Sequence, residues 1–110
     1  MISHGLNVEA KIPAWWPKTI TERVTVDRQV HYGPALVFAI SIASDGGGNA
    51  TADVYDGHNA GAGQMFDLKA LNNYKHFMCF PAPVVFTRGI YVDVGSNVDS
   101  VVIQYLPLQP

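Results

Sequence analysis

The sequence predicts an all-β chain: a single compact antiparallel β-sandwich, jelly-roll-like, of about seven or eight strands behind an extended N-terminal arm. Three observations carry this expectation. Apolar residues recur with a period of two from Ile20 to Tyr105. Clusters of Gly, Pro, Asn and Asp interrupt that alternation every ~8–14 residues. No stretch of about ten residues shows a helical period. The length, 110 residues, suits one domain and leaves no room for a second.

Residues 1–19 read as an arm and residues 20–110 as the sandwich. In the arm, Pro13 and Pro17 bracket Ala14-Trp15-Trp16. Proline lacks an N–H and restricts its predecessor to extended backbone, so Trp16 should be extended. The two indoles can cap the domain's own core, pack on a neighbouring subunit or stack on a sugar.

From Ile20 the alternation places Ile20, Glu22, Val24, Val26, Arg28 and Val30 on one side of a strand. Tyr32-Gly33-Pro34 breaks it. In the next strand, Leu36, Phe38, Ile40 and Ile42 form one face and Ala35, Val37, Ala39, Ser41 and Ala43 the other. The smaller side chains suggest that a further strand layer or another subunit packs against that second face. Ser44-Asp45-Gly46-Gly47-Gly48-Asn49 is a turn, and Ala50–Tyr55 is expected to return as the second arm of a hairpin. A turn at Asp56-Gly57-His58-Asn59 and a glycine-rich lead-in precede the alternating Gln64–Lys69. One helical turn is considered near Leu68–Asn73. The aromatic run Tyr74–Phe80 ends at Pro81-Ala82-Pro83, a sheet-edge or crossover signal. Val84–Phe86 and Ile90–Val94 follow, and Ser100–Tyr105 closes the ladder at Leu106-Pro107-Leu108.

Composition limits function. Charged residues make up 15% of the chain, against a usual share of about 25%. A surface this short of charge suggests cover by another subunit. The net charge of −2, with seven dispersed basic residues, argues against nucleic acid, which needs clustered Lys and Arg. No apolar run approaches the ~20 residues of a membrane helix. The opening residues lack a basic region followed by an apolar one, so a soluble protein made in a cytoplasm is expected. The one cysteine, Cys79, lies in Phe77-Met78-Cys79-Phe80 and reads as a buried thiol filling core volume.

Chemistry is sparse. His4, His31, His58 and His76 lack metal-ligand spacing. His58 should be solvated in its turn, and His76 partly buried with one hydrogen-bond partner. Asp45, Asp53 and Asp56 cluster loosely enough to raise calcium, but the EF-hand spacing is absent. No nucleophile elbow, phosphate loop or carboxylate pair stands out. The residues therefore point to a non-enzymatic protein without a cofactor.

One pattern exceeds composition. Gly33-Pro34-Ala35-Leu36-Val37-Phe38 is followed by Ala52-Asp53-Val54-Tyr55-Asp56-Gly57. Then come Phe80-Pro81-Ala82-Pro83-Val84-Val85-Phe86, Gly89-Ile90-Tyr91-Val92-Asp93-Val94 and Val101-Val102-Ile103-Gln104-Tyr105. Over about residues 30–106 this resembles short all-β proteins encoded in tailed-phage genomes, often beside structural genes. The resemblance implies a virion component such as a capsid decoration (cement) protein. It would be made in the host cytoplasm and would bind the major capsid protein or another virion protein. It carries over no catalytic residue. Self-association, a trimer among the options, would draw on Trp15, Trp16, Leu106, Pro107 and Leu108. The alternatives are a carbohydrate- or receptor-binding module using Tyr55, Tyr91 or Trp16 as sugar platforms, and a head–tail or tail accessory protein.

Overall fold

The computed structural model describes residues 18–61 and 63–108; Trp15 and Trp16 lie outside the described residues. Eight strands follow in order: β1 (Ile20–Val24), β2 (Arg28–Tyr32), β3 (Ala35–Ser44), β4 (Ala50–Asp56), β5 (Gln64–Ala70), β6 (Lys75–Phe86), β7 (Gly89–Val94) and β8 (Val98–Pro107). They form two four-stranded antiparallel sheets. Sheet A has the order β1-β8-β3-β6 and sheet B the order β2-β7-β4-β5. In both, first pairs with last: β1 with β8, β2 with β7, β3 with β6 and β4 with β5. That nesting is the order of a jelly roll.

The core lies between the sheets. Val37, Ile40, Ile42, Phe86, Val101 and Ile103 of sheet A meet Val54, Leu68, Ile90 and Val92 of sheet B, each almost fully buried. Strands with alternate residues buried follow from period-two patterning with one face removed from water.

Four sequence expectations are corrected. First, Ile20–Val30 is not one strand. The chain bends at residues 25–27, leaving β1 in sheet A and β2 in sheet B. Asp27 holds the corner by accepting the Val94 N–H at 2.7 Å, and Arg28 spans it to Glu22 at 2.8 Å.

Second, β3 and β4 are not a hairpin but belong to opposite sheets. Their loop arches across the sandwich, with Gly46 at φ +90°. Asp45 donates its N–H to Asn97 O, and Asn97 Nδ2 donates to Asn49 O.

Third, unbroken alternation fails in β3. Pairing with β8 passes from Val37↔Tyr105 to Ala39↔Gln104, so β3 carries one extra residue at Phe38. This bulge flips the faces. Ala35 and Val37 point inward before it, Ile40 and Ile42 after it, while Leu36, Ala39, Ser41 and Ala43 face out.

Fourth, the helical turn considered near Leu68–Asn73 is the end of β5 and a tight turn. Asn73 has φ +67°, and Tyr74 donates its N–H to Leu71 O.

The prolines behave as expected. β6 runs through Pro81 and Pro83 on an edge of sheet A, where a missing N–H costs little. Pro107 ends β8 opposite Ala35. Leu108 then donates its N–H to Pro34 O at 3.0 Å.

Candidate functional site

Residues directly opposite each other in adjacent strands share a face, so the register fixes the outer surface of sheet A. Ser41 lies opposite Phe77 on one side and Val102 on the other, and Val102 lies opposite Arg23. Ala39 lies between Cys79 and Gln104, and Gln104 opposite Thr21. Leu36 lies between Val85 and Leu106. The resulting face is apolar or uncharged across its middle. Charge enters at its margins, through Lys75 on β6 and Arg23, which pairs with Asp99 at 3.3 Å. Phe77 is 67% exposed and Val85 53%.

A shallow groove of about 190 Å³ crosses this face, lined by Thr21, Ala39, Ser41, Phe77, Val102 and Gln104. Its floor is low because the central strand presents Ala and Ser where its neighbours present Phe and Val. The small-residue face anticipated for β3 is thus present after Phe38, and it faces outward.

Cys79 corrects the expectation of a buried thiol: it is exposed. Its run is apolar throughout, yet β6 is an edge strand. Met78 and Phe80 pack toward the core while Phe77 and Cys79 point out. His76 is likewise exposed rather than partly buried. His58 is exposed, with its ring 3.0 Å from Arg88 O and 5.5 Å, centroid to centroid, from Tyr32.

Of the proposed contact residues, Leu106 joins the outer face of sheet A beside Leu36. Pro107 and Leu108 are half-buried at the end of the sandwich where β1 begins. Trp15 and Trp16 fall outside the described residues.

The outer face of sheet B has the opposite chemistry. Asp53 sits directly opposite Asp67 on β5 and Asp93 on β7. Burial, followed by the Asp67 charge, a hydrogen bond with Asp67 and the Asp93 charge, pushes the Asp53 carboxyl up. Burial and Asp27 do the same to Asp93. Gln64 donates to Asp53 at 2.8 Å. Tyr55 and Tyr91 are cross-strand neighbours next along the same face. Burial and the three aspartates raise the Tyr55 hydroxyl. This row was invisible in the linear sequence, since only strand register brings positions 53, 67 and 93 together.

The aspartates considered for calcium occupy three separate places. Asp45 caps its own loop by accepting from Gly47 N at 2.8 Å, and Asp53 belongs to sheet B. Asp56 is buried, and its carboxylate accepts from Thr87 N, Thr87 Oγ1, Arg88 N and Gly89 N. Burial alone would raise the Asp56 carboxyl, but those bonds outweigh it and hold it below its ordinary value. Among the described residues, no group of three or more His, Cys, Asp or Glu is placed to hold a metal ion.

No family model, curated protein or solved structure matches this chain.

Proposed function

We propose that this chain is a non-enzymatic structural protein that works by self-association, with the outer face of sheet A covered by another subunit. The observation that carries this reading is the uncharged centre of that face, with Phe77 and Val85 exposed on its β6 side. Exposed apolar side chains on a face without charge mark an interaction site. A standard interface removes about 800 Å² per partner, and repeated copies add avidity. The narrower role, a tailed-phage capsid decoration protein that also binds the major capsid protein, rests on the sequence resemblance alone. A head–tail or tail accessory protein would use the same physics.

Sedimentation of the full chain over a range of concentrations tests the reading. Ser41→Glu places a charge at the centre of the face, while Asp53→Asn alters the opposite sheet and serves as the control. The expected result is an oligomer that Ser41→Glu dissociates and Asp53→Asn leaves intact. A monomer at every concentration defeats the proposal.

A second reading has its own observation. Tyr55 and Tyr91 stand side by side in register next to Asp53, a pairing of aromatic surface with acceptors that suits a sugar. Glycan-array binding lost in Tyr55→Ala would support it, and an empty array removes it.

A further inference from the structure

We propose that two copies of this chain pair edge to edge through β6, joining their A sheets into one continuous antiparallel sheet. The inference rests on the self-association reading and adds to it a contact distinct from the covered face.

β6 is the outermost strand of sheet A. Among the described residues no strand of the same chain is placed to fill its free edge: β1 lies at the far side of sheet A, and β2 and β5 are the edges of sheet B. The phase of the hydrogen bonds between β6 and β3 is fixed at one end. Ser44 donates its N–H to Tyr74 O at 3.1 Å, one position beyond the Ala43↔Lys75 pair. Bonded and unbonded pairs alternate in an antiparallel ladder. His76 and Met78 therefore bond to Ile42 and Ile40, while Lys75, Phe77 and Cys79 turn their N–H and C=O groups away from β3. Those three exposed residues offer one donor and one acceptor each. An open edge of this kind is a template for a further strand, and Pro81, with no N–H to give, marks its limit.

The strand is complementary to itself. About a two-fold axis at Phe77, Phe77 lies opposite Phe77 of the second copy, and Lys75 lies opposite Cys79. Every edge-facing residue then has a partner, and each facing pair exchanges two hydrogen bonds. Sliding the copies one way brings Pro81 opposite Lys75. Sliding them the other way brings Asn73, in its turn at φ +67°, opposite Cys79. Either slide loses bonds, so a single register is favoured. That register also separates the like charges: the two Lys75 side chains stand four residues apart along the strands, ~14 Å, which exceeds the ~10 Å screening length at about 0.1 M salt. Phe77, 67% exposed, gains an aromatic cross-strand neighbour. Each copy spends the same strand on the contact, so the pairing closes as a dimer.

Residue-resolved amide exchange on the unaltered full chain tests this. In dilute monomer the His76 and Met78 amides should be protected, and those of Phe77 and Cys79 should exchange freely. As sedimentation shows association, Phe77 and Cys79 should become protected too. Cross-linking reads the register. In a Cys79→Ser background, Phe77→Cys should give a disulfide-linked dimer on oxidation with diamide, since facing residues of this kind lie about 5.5 Å apart at Cα, within disulfide reach. The unaltered chain should not link through Cys79, whose counterpart stands ~14 Å away. Phe77 and Cys79 amides protected in the monomer would show that the chain covers its own edge, and would overturn the inference. A dimer that links through Cys79 and not through Phe77→Cys overturns it as well. So does an oligomer in which those amides stay open, and that result leaves self-association through the outer face standing. A chain that never associates removes both.

Discussion

Asp56→Ala should be among the most damaging single substitutions at the end of the sandwich where the chain enters β1. Asp56 is 9% exposed, and its carboxylate ties the end of β4 to the β6–β7 turn. It accepts Arg88 N at 2.7 Å, Thr87 N and Thr87 Oγ1 at 3.0 Å and Gly89 N at 3.3 Å. Thr87 and Arg88 are exposed, so water can replace part of what they lose. The Gly89 contact is long and adds little. Counting the two short backbone bonds at about 1.5–2 kcal/mol each gives a loss of ~3–4 kcal/mol. For a chain this size that is a large share of the ~5–15 kcal/mol total. It corresponds to a Tm lower by about 12–16 °C, at roughly 4 °C per kcal/mol. Asp56→Asn keeps the shape and one acceptor oxygen and should lose about half as much.

The pH dependence separates this cause from generic damage. The folded carboxyl titrates below its ordinary value of 3.8. Its contribution is therefore fully present above that value and is lost as pH falls through the depressed folded value. The gap between wild type and Asp56→Asn should close over the same acid range. Urea unfolding followed by circular dichroism at neutral and acid pH measures it. An Asp56→Ala protein within about 0.5 kcal/mol of wild type, where surface changes usually fall, refutes the reasoning. A gap that stays constant into acid refutes the assigned cause.

Two further outcomes follow from the structure. Asp53→Asn should stabilise the protein at neutral pH by ~0.5 kcal/mol, since like charges directly opposite each other oppose pairing. Because Asp53 and Asp93 titrate above their ordinary values, their effect on wild type runs opposite to that of Asp56: stability rises as pH falls from neutral toward 3.8. Melts at stepped pH should show a smaller rise in Asp53→Asn, and an equal rise counts against the row. Gly63→Ala should destabilise by ~1–2 kcal/mol, because Gly63 has φ +79° and a Cβ there would lie 2.6 Å from Asp56 O. Unchanged melting would show that the β4–β5 loop adopts another path.

Much of the fold was legible because local pattern and global burial agree. Ile90 and Val92 alternate in sequence and are both fully buried. Pro81 and Pro83 marked an edge, and Pro107 marked an end, through the missing N–H alone. What stayed hidden depends on partners distant in sequence. The bulge at Phe38 shows only against the neighbouring strands β8 and β6, and it turns Ile40 and Ile42 to the side that Val37 began. Cys79 looked buried because composition cannot tell an edge strand from a central one. Asp53, Asp67 and Asp93 became neighbours only through register. The small residues of β3 form the low floor of the groove on sheet A, but alternation alone could not say which face of the strand looks outward.

Cys79 offers the most direct test of whether another subunit covers the outer face of sheet A. Its thiol is exposed on the isolated chain and lies opposite Ala39 at the groove. Labelling with a bulky maleimide under native conditions should be fast in dilute solution and slow progressively as concentration rises, with Ser41→Glu restoring the fast rate. A labelling rate independent of concentration in the unaltered protein would contradict the account.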